Sequence, residues 1–442
     1  MVTHNAPEKS YEKRLKKLRE DIERKTGKPP EELYEEREKR LRDAIELKEP
    51  DRVPVVLATN YFPLRYVGGL TVADSYYKHD AWREATRKTI IELEPDIQAA
   101  QAGGSGAALG LLQPKLFKWA GDGLGPNSLH QFIEGEPLKA DEYDLFLSDP
   151  GDFTLRYYLP RVWKTLEAFA KLPPLQSLWG PSTMASLSSA FAAPEVVKAF
   201  EVLFKAGHKQ EKYLQVTRNF DEEMASLGFP PLSHGMAAAP FDAISDYLRG
   251  MAGTMLDMYR NPDKLLRACE MILPRSIASG TATLRSKLGN PKRVSTALHR
   301  GSDGFMSLKH FETFYWPTLK KLILATTDMG LVHIPFYEGD WAQRLEYLLE
   351  LPRKKTIARF ALTDLSKAKE VLGGHTCIMG GVPHTLMQTG SPQQVEEYCK
   401  NLIKTVGKGG GFILTTSTGL THEAKPENVR AMIESAKKYG RY

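Results

Sequence analysis

Three polar residues with acid, base or anion-binding chemistry stand at the end of one short apolar run. His299 ends the run at 294–299, and Arg300 and Asp303 follow it. A histidine and an aspartate can act as general acid or base, and an arginine can clamp a substrate anion. We therefore predict His299 and Asp303 as catalytic residues and Arg300 as a substrate-binding residue. Alternatively, Arg300 and Asp303 only pair with each other across the loop.

Further polar residues end or interrupt other apolar runs. Asn60 and Gln101 end the first two runs, where a neutral amide can hydrogen-bond an oxygen-bearing ligand. Tyr61 could line a pocket for an aromatic ring, although such residues also pack at the rim of a barrel. His234 precedes Gly235, which allows a close approach of backbone and ligand. We predict these four side chains as substrate contacts, with a core histidine as the alternative for His234.

The elements that must position these residues are eight short apolar runs separated by long helical stretches. This alternation predicts βα units around a parallel sheet, and eight units predict a (β/α)8 TIM barrel of the α/β class. Active sites of such barrels lie at the carboxyl-terminal ends of the strands. The runs lie at 53–60, 97–101, 232–236, 294–299, 331–335, 356–360, 376–380 and 411–416.

The first 50 residues differ from the rest in their dense mixed charge. They hold 14 Lys or Arg and 13 Asp or Glu, with one break at 26–30. This pattern predicts an N-terminal helical extension of two solvated helices. In the second helix Leu41, Ala44 and Ile45, together with Tyr34, form a narrow apolar stripe that is expected to lie against the barrel.

Residues 51–442 are predicted to form the barrel domain, which contains one long insertion. The gap between the second and third runs predicts a helical insertion at about 103–229, with a hairpin around 128–134 and helices near 156–171 and 194–227. Loops of this length above the strand ends usually form a lid or a docking surface.

Composition excludes several classes of protein. Hydrophobic residues make up 42% of the chain and charged residues 26%, as in ordinary globular enzymes. No apolar stretch is long enough for a membrane span, and the N-terminus lacks the apolar segment of a signal peptide, so a cytoplasmic protein is expected. The three cysteines have no CxxC spacing, and the net charge of +6 is dispersed. Neither a zinc ribbon nor nucleic-acid binding is expected. The sequence leaves open whether the protein forms a homo-oligomer.

Five stretches, in order, carry a family resemblance. They read REKRLRDAIELKEPDRVPV at 37–55, QFIEGEPLKADEYDLFLSDP at 131–150, APFDAISDYLRG at 239–250, GGVPH at 380–384 and GKGGGFILTTSTGLTHEAKPENVRAMIESA at 407–436. Together they resemble the uroporphyrinogen decarboxylase superfamily, and specifically its corrinoid-dependent methyltransferase branch. The resemblance covers most of the chain after residue 37, and it implies the same (β/α)8 fold.

Two departures from the family pattern narrow the expected activity. The decarboxylase branch carries several arginines after the first strand, whereas this chain reads NYFPLRY at 60–66 with the single Arg65. Porphyrinogen decarboxylation is therefore disfavoured. The thiol-methylating branch binds zinc through His-x-Cys after the fifth strand and a further Cys after the eighth. Here His333 is followed by Ile334 and Pro335, and Thr418 stands near the place of the final Cys.

The resemblance implies that His333 is a metal ligand. Glu338, beyond the same strand, and Glu312, early in the preceding helix, are carboxylates that could reach the same ion. Histidine and carboxylate ligands suit a metal that acts on oxygen donors, with Zn2+ as the candidate ion. In the alternative interpretation, His333 is a hydrogen-bonded barrel histidine, Glu338 stands at a helix N-terminus and Glu312 is solvated.

The expected function is that of an O-demethylase component. The enzyme would move a methyl group from a small methoxylated substrate, for example an aryl methyl ether, to the Co(I) corrinoid of a partner protein. A metal or an acid would stabilise the departing oxygen. The corrinoid is expected on the partner because this chain lacks the Asp-x-His-x-x-Gly signature. Two alternatives stay open: a metal-independent decarboxylase or lyase that uses His299, Arg300 and Asp303, and a noncatalytic tetrapyrrole-binding protein.

Overall fold

A computed structural model describes residues 6–101 and 103–442 of the 442-residue chain. The first five residues of the predicted N-terminal extension lie outside the described residues. Within the described ranges the fold alternates parallel strands with helices, and short 3-10 and π-helical turns join some of these elements. The predicted α/β class is therefore confirmed.

Seven of the eight predicted apolar runs form parallel strands, although most of the strands are shorter than the runs. The exception is 232–236, which follows Pro230 and Pro231. Proline has no amide hydrogen to donate to a sheet, so this segment pairs only at single positions. The strands are β1 (Val56–Ala58), β2 (Ile97–Ala99), β3 (Phe117–Ala120), β4 (Gly123–Leu124), β5 (Gln131–Phe132), β6 (Arg293–Leu298), β7 (Val332–Tyr337), β8 (Ile357–Phe360), β9 (Cys377–Val382) and β10 (Phe412–Thr416).

Parallel pairing runs in sequence order around the centre of the molecule. β1 pairs with β2, and β6 to β10 form a five-stranded sheet in chain order. Isolated parallel bridges link these two sheets and the segment that follows Pro230: Val55 with Leu414, Gln98 with Pro231 and Met236 with Ser295. This order is consistent with the predicted (β/α)8 barrel.

The helices surround the strands, and many begin with proline at the first or second position, where a missing amide donor costs little. None of the described helices is both long and apolar enough to cross a membrane. The helices that precede β3 in the chain are α1 (Ala6–Thr26), α2 (Pro30–Ile45), α3 (Phe62–Val67), α4 (Asp74–Tyr77), α5 (His79–Leu93) and α6 (Gly106–Leu112). The next are α7 (Tyr143–Ser148), α8 (Pro150–Phe153), α9 (Leu159–Val162), α10 (Pro181–Leu187), α11 (Pro194–Thr217) and α12 (Phe220–Ser226). The remainder are α13 (Pro240–Tyr247), α14 (Gly250–Arg260), α15 (Pro262–Thr281), α16 (Leu308–His310), α17 (Trp316–Asp328), α18 (Leu365–Leu372), α19 (His384–Thr389), α20 (Pro392–Val406) and α21 (Pro426–Tyr439).

An apolar cluster fills the space between the strands toward their amino-terminal ends. Ile357 of β8 belongs to this cluster, and side chains two residues apart along a strand face the same side. Arg359 therefore faces the same interior, one layer nearer the carboxyl-terminal ends. As predicted, Leu41, Ala44 and Ile45 of α2 pack against this cluster.

The charges of α2 are not all solvated, which corrects the prediction of a solvated extension. Glu38 accepts hydrogen bonds of 2.9 and 2.7 Å from the guanidinium of Arg293, and both side chains are buried. Arg40 donates to the buried Asp96 at 2.6 Å. A pattern of charge within one helix cannot reveal the partners that other elements bring to it.

The insertion forms a small separate sheet and a helical layer. β3 pairs antiparallel with β5, Phe117 with Phe132 and Lys118 with Gln131, and β5 is the one strand within the predicted hairpin at 128–134. The second predicted helix is present as α11 and α12, and the first is broken into a π-helical turn, α9 and a 3-10 helix at 164–171. Pro160 explains part of this break, because it cannot continue the hydrogen bonding of a preceding turn.

Candidate active site

A cavity of about 790 Å³ opens at the carboxyl-terminal ends of the strands. Its wall comes from the ends of β1, β2, β6, β7 and β8, from the segment after Pro230 and from the loop after β10. The apolar cluster lies beneath it. Its amide and ionisable side chains, hydroxyl groups of Ser and Thr aside, are those of Asn60, Tyr61, Gln98, Gln101, His130, Asp221, His234, His299, Glu338 and Arg359.

Asn60 and Tyr61 line this cavity at the end of β1, where the sequence predicts substrate contacts. Asn60 has a left-handed φ of 38°, which asparagine tolerates better than most residues. Its amide packs so closely on Gly419 that a Cβ there would lie 2.2 Å from Nδ2. The hydroxyl of Tyr61 is 3.1 Å from that of Tyr76, and burial raises the pKa of Tyr61. Both side chains are therefore positioned by packing, and their contact with substrate stays a prediction.

Gln101 and His234 also contribute to the cavity wall, but they differ in solvent exposure and in packing. Gln101 is exposed. The Nδ1 atom of His234 accepts the backbone N–H of Arg293 at 3.1 Å, and the ring packs against Gly289. Burial and the charge of Arg293 lower the pKa of His234 to about 3. His234 is therefore held by packing and neutral near pH 7, and its contact with substrate stays a prediction.

His299 lies between the main cavity and a second cavity of about 410 Å³, which Arg300 lines. The Arg300 guanidinium donates to Asp246 at 2.9 Å and to the Ser245 hydroxyl at 3.0 Å. The Nδ1 atom of His299 is 3.4 Å from the same Asp246 carboxylate. Arg300 thus faces the smaller cavity, and its predicted alternative pairing with Asp303 is wrong.

Asp242 of α13 holds the backbone of this loop, a role that the sequence analysis missed. Its carboxylate accepts the backbone N–H groups of His299 at 2.9 Å and Arg300 at 3.1 Å, and the Tyr315 hydroxyl at 2.7 Å. Burial raises the pKa of Asp242 to about 6, against the effect of these hydrogen bonds.

Asp303 does not reach either cavity, so the structure contradicts its predicted catalytic role. Its carboxylate forms an ion pair with the buried Arg344 and accepts the backbone N–H of Gln343 at 2.9 Å. The backbone N–H of Asp303 donates to the carbonyl of Asp340 at 2.8 Å. These contacts tie the loop after β6 to the loop after β7 and turn Asp303 away from the cavity.

His333 cannot act as the predicted metal ligand in this arrangement. It is the second residue of β7, fully buried near the amino-terminal end and not at the carboxyl-terminal end. Its Nδ1 lies 2.8 Å from the Thr326 hydroxyl, and its Nε2 lies 2.9 Å from the Thr296 hydroxyl. Because the Thr326 hydroxyl also donates to backbone carbonyls of α17, Nδ1–H donates to Thr326 and Nε2 accepts from Thr296. No lone pair is left for an ion, and burial lowers the pKa of His333 to about 3.

The two predicted carboxylate ligands lie apart from His333 and from each other. Glu338 lines the main cavity just beyond β7, whereas the Glu312 carboxylate accepts a hydrogen bond from Tyr347 on the exposed side of its helix. Among residues 6–101 and 103–442, no group of three or more His, Cys, Asp or Glu side chains is placed to hold a metal ion. The proposed zinc site therefore does not fit these residues.

Arg359 and Asp221 are the charged cavity residues that sequence reasoning missed. Arg359 lies in the predicted sixth strand, and its inward position follows from Ile357 by alternation, so that signal was present. Asp221 lies at the start of α12, inside the insertion, and no local pattern marks it. Its carboxylate accepts a hydrogen bond of 2.8 Å from Nε2 of Gln98, and burial raises its pKa.

This arrangement combines one cation, carboxylates and neutral amides around a partly apolar space. Asp221 can hold a proton to a higher pH than an exposed aspartate, which suits a general acid. The Arg359 guanidinium can stabilise negative charge on a bound molecule. The cavity can therefore bind a small organic ligand and protonate a departing oxygen.

Comparisons with known proteins agree with this architecture. Residues 230–439 match the sequence profile of the uroporphyrinogen decarboxylase (URO-D) family. Over 130 residues the chain is 29% identical to uroporphyrinogen decarboxylase from Dichelobacter nodosus strain VCS1703A, a region that covers 28% of this chain and 35% of that protein. The chain thus spans about a third of the length of this curated relative.

A solved structure shares the fold over nearly the whole chain. A methyltransferase from Methanosarcina mazei superposes with a TM-score of 0.57 and 15% sequence identity, covering 91% of this chain and 98% of that one. At this level of identity the likeness concerns the fold alone. The family profile over residues 230–439 and the shared fold agree with each other, and together they support the uroporphyrinogen decarboxylase superfamily for this chain.

Proposed function

We propose that this protein is a methyltransferase that moves a methyl group from a small methylated compound, for example an aryl methyl ether, to the corrinoid of a partner protein. The substrate would bind in the cavity of about 790 Å³ at the strand ends. The likeness to the fold of a methyltransferase supports this proposal, and so do the five family-like stretches of the sequence.

The observation that carries the proposal is the charge of the cavity wall. Arg359 is the single arginine among the residues that line it, and Arg65, which follows β1, is exposed on α3 outside it. A porphyrinogen carries several carboxylates that need several cationic partners. A small substrate with at most one anionic group fits this wall better.

The chain's own residues could assist the transfer without a metal. The methyl carbon would leave its oxygen, the bonding electrons would stay on oxygen, and Asp221 would supply a proton to it. The Co(I) corrin of the partner would supply the electron pair of the new bond to the methyl carbon. Asn60 and Gln101 would orient the donor through their amides, and the insertion would limit access of water.

The test mixes the purified protein with cob(I)alamin and a panel of aryl and alkyl methyl ethers. Loss of the Co(I) absorption with at least one donor is expected, and no loss with any donor would contradict the proposal. Asp221→Asn should slow the transfer by about 100-fold or more if Asp221 is the acid. Glu222→Gln alters the adjacent exposed carboxylate and is the matched control, with an unchanged rate.

A decarboxylase on the same fold is the second candidate. The identity to uroporphyrinogen decarboxylase favours it. Release of carbon dioxide from a carboxylated substrate, without any loss of Co(I) absorption, would favour this candidate over methyl transfer.

A further inference from the structure

Arg359 lies where the apolar cluster between the strands meets the cavity. It lies on β8 directly beside Phe336 of β7, and its guanidinium carbon is 4.3 Å from the centre of the Phe336 ring. Below it, Ile357 belongs to the apolar cluster between the strands. The guanidinium is thus fixed by the strand and by the aromatic ring at the boundary between the apolar floor and the cavity.

The Arg359 side chain is half-buried, and its guanidinium has no ion-pair partner among the described residues, in contrast to two fully buried arginines. Arg293 pairs with Glu38, and Arg249 pairs with Asp257. By contrast, the Nε atom of Arg359 is shielded from solvent and has no hydrogen-bond partner among the described residues. Burial lowers the pKa of Arg359 to about 10, and the nearby charge of Glu338 opposes this shift without a hydrogen bond between the two side chains.

A buried donor without a partner is costly, and a bound ligand can supply the missing acceptor. We propose that Arg359 binds a carboxylate of the substrate, so that the compound held in this cavity is an organic acid. The planar guanidinium matches a carboxylate with two parallel hydrogen bonds. Combined with the proposed function, on which this part rests, the methyl donor would be a methylated carboxylic acid.

Glu338 opposes the binding of a carboxylate at this site. It lines the same cavity and carries the same charge as the proposed ligand group, so it would weaken binding of a carboxylate. Replacement of Glu338 by glutamine should therefore tighten binding of an acid. If Glu338 were instead the natural partner of Arg359, wild type would show no preference for acids over amides, and Glu338→Gln would create one.

The experiment measures binding by calorimetry in the absence of any corrinoid. The probes are benzoate, 4-methoxybenzoate and acetate, each compared with its neutral amide. Wild type should bind at least one acid about 10- to 100-fold more tightly than its amide, the range that a charge-assisted hydrogen bond provides. Arg359→Met should abolish this preference, and Arg359→Lys should keep part of it.

Two results would overturn the proposal: no acid binds more tightly than its amide, or the preference persists in Arg359→Met. Far-ultraviolet circular dichroism of both variants checks that they are folded. Acid binding without methyl transfer would contradict the proposed function alone. Methyl transfer from neutral ethers, with no preference for acids, would contradict the role of Arg359 alone.

Discussion

The buried cations at the amino-terminal end of the strand assembly and Arg359 in the cavity at the carboxyl-terminal end differ in their ion-pair partners. At the amino-terminal end, Arg293 is fully buried and donates to both carboxylate oxygens of Glu38, while Asp96 accepts from Arg40 and Arg52. At the carboxyl-terminal end, Arg359 has a shielded nitrogen without a partner among the described residues.

This difference separates stability from ligand binding within one fold. Paired charges at the amino-terminal end connect α2 to the strands, and they satisfy one another without a ligand. An unpaired cation at the other end leaves binding capacity for a ligand. In parallel α/β barrels, the carboxyl-terminal face carries function and the opposite face carries stability.

The largest expected effect comes from breaking the pair at the amino-terminal end. Glu38→Ala would leave the Arg293 guanidinium buried and uncompensated, which should lower the free energy of unfolding by about 3–5 kcal/mol. Arg359→Met removes a cation that has no carboxylate partner, so its change should stay within about 1 kcal/mol. Urea unfolding followed by circular dichroism measures both.

Glu36→Ala is the control on the same helix, because Glu36 pairs with Lys28 at the surface. Its effect should stay within about 1 kcal/mol. A loss of stability in Arg359→Met as large as that in Glu38→Ala would contradict the contrast between the two ends.

The second prediction concerns the pH dependence caused by Asp242 at the carboxyl-terminal end. The pKa of Asp242 is about 6 in the folded protein and about 4 in the unfolded chain. Between about pH 4 and pH 6 the folded protein therefore keeps a proton on this carboxyl group that the unfolded chain has released. Stability from this group should therefore fall as the pH rises from about 4 to 6, by about 3 kcal/mol in total. Asp242→Asn should lack this contribution.

The slope of unfolding free energy against pH measures this effect and is insensitive to a constant change in stability. Tyr315→Phe removes a hydroxyl that favours the ionised carboxylate, so it should move the transition to higher pH. Identical slopes in wild type and Asp242→Asn would show that the carboxyl group is solvated.

The third prediction separates a structural His333 from a metal ligand. His333→Gln disturbs the bridge between Thr296 and Thr326, which should cost roughly 1–3 kcal/mol. Burial lowers the folded pKa of His333 below its unfolded value, so wild type should lose stability as the pH falls below about 6.5 and the variant should lose less.

Elemental analysis of both proteins after incubation with Zn2+ completes this test. Equal zinc content is expected, because both ring nitrogens of His333 are engaged by hydroxyl groups. Zinc in wild type that is lost in His333→Gln would restore the metal-ligand interpretation.

Strand positions were more predictable than the roles of polar residues. Periodicity located β6 to β10 because the apolar alternation of a buried strand is a local property. The role of His333 depended on Thr326 and Thr296, which come from a helix and a neighbouring strand. Asp303 similarly depended on Arg344, whose position the local sequence does not show.

The cavity was only partly predictable for the same reason. Asn60, Tyr61 and Gln101 follow strands directly, and strand direction alone carries them to the cavity. Asp221 reaches it from a helix of the insertion, where neither spacing nor composition indicates the contact with Gln98. Sequence patterns therefore indicate which end of the strands holds the site, while tertiary contacts decide which side chains face it.

The smallest expected effect concerns Arg65, an exposed arginine near the carboxyl-terminal end. Arg65 follows β1 where the decarboxylase branch places its arginine-rich signature, but it is exposed on α3 and lines neither of the two cavities at the strand ends. Arg65→Gln should therefore change the free energy of unfolding by less than about 0.5 kcal/mol, and it should leave acid binding unchanged, whereas Arg359→Met should abolish the preference for acids. If Arg65→Gln instead weakened acid binding as strongly as Arg359→Met, α3 would have to close over the cavity when a ligand binds. The single-cation cavity would then be incomplete, and a substrate with more than one carboxylate would become the better candidate.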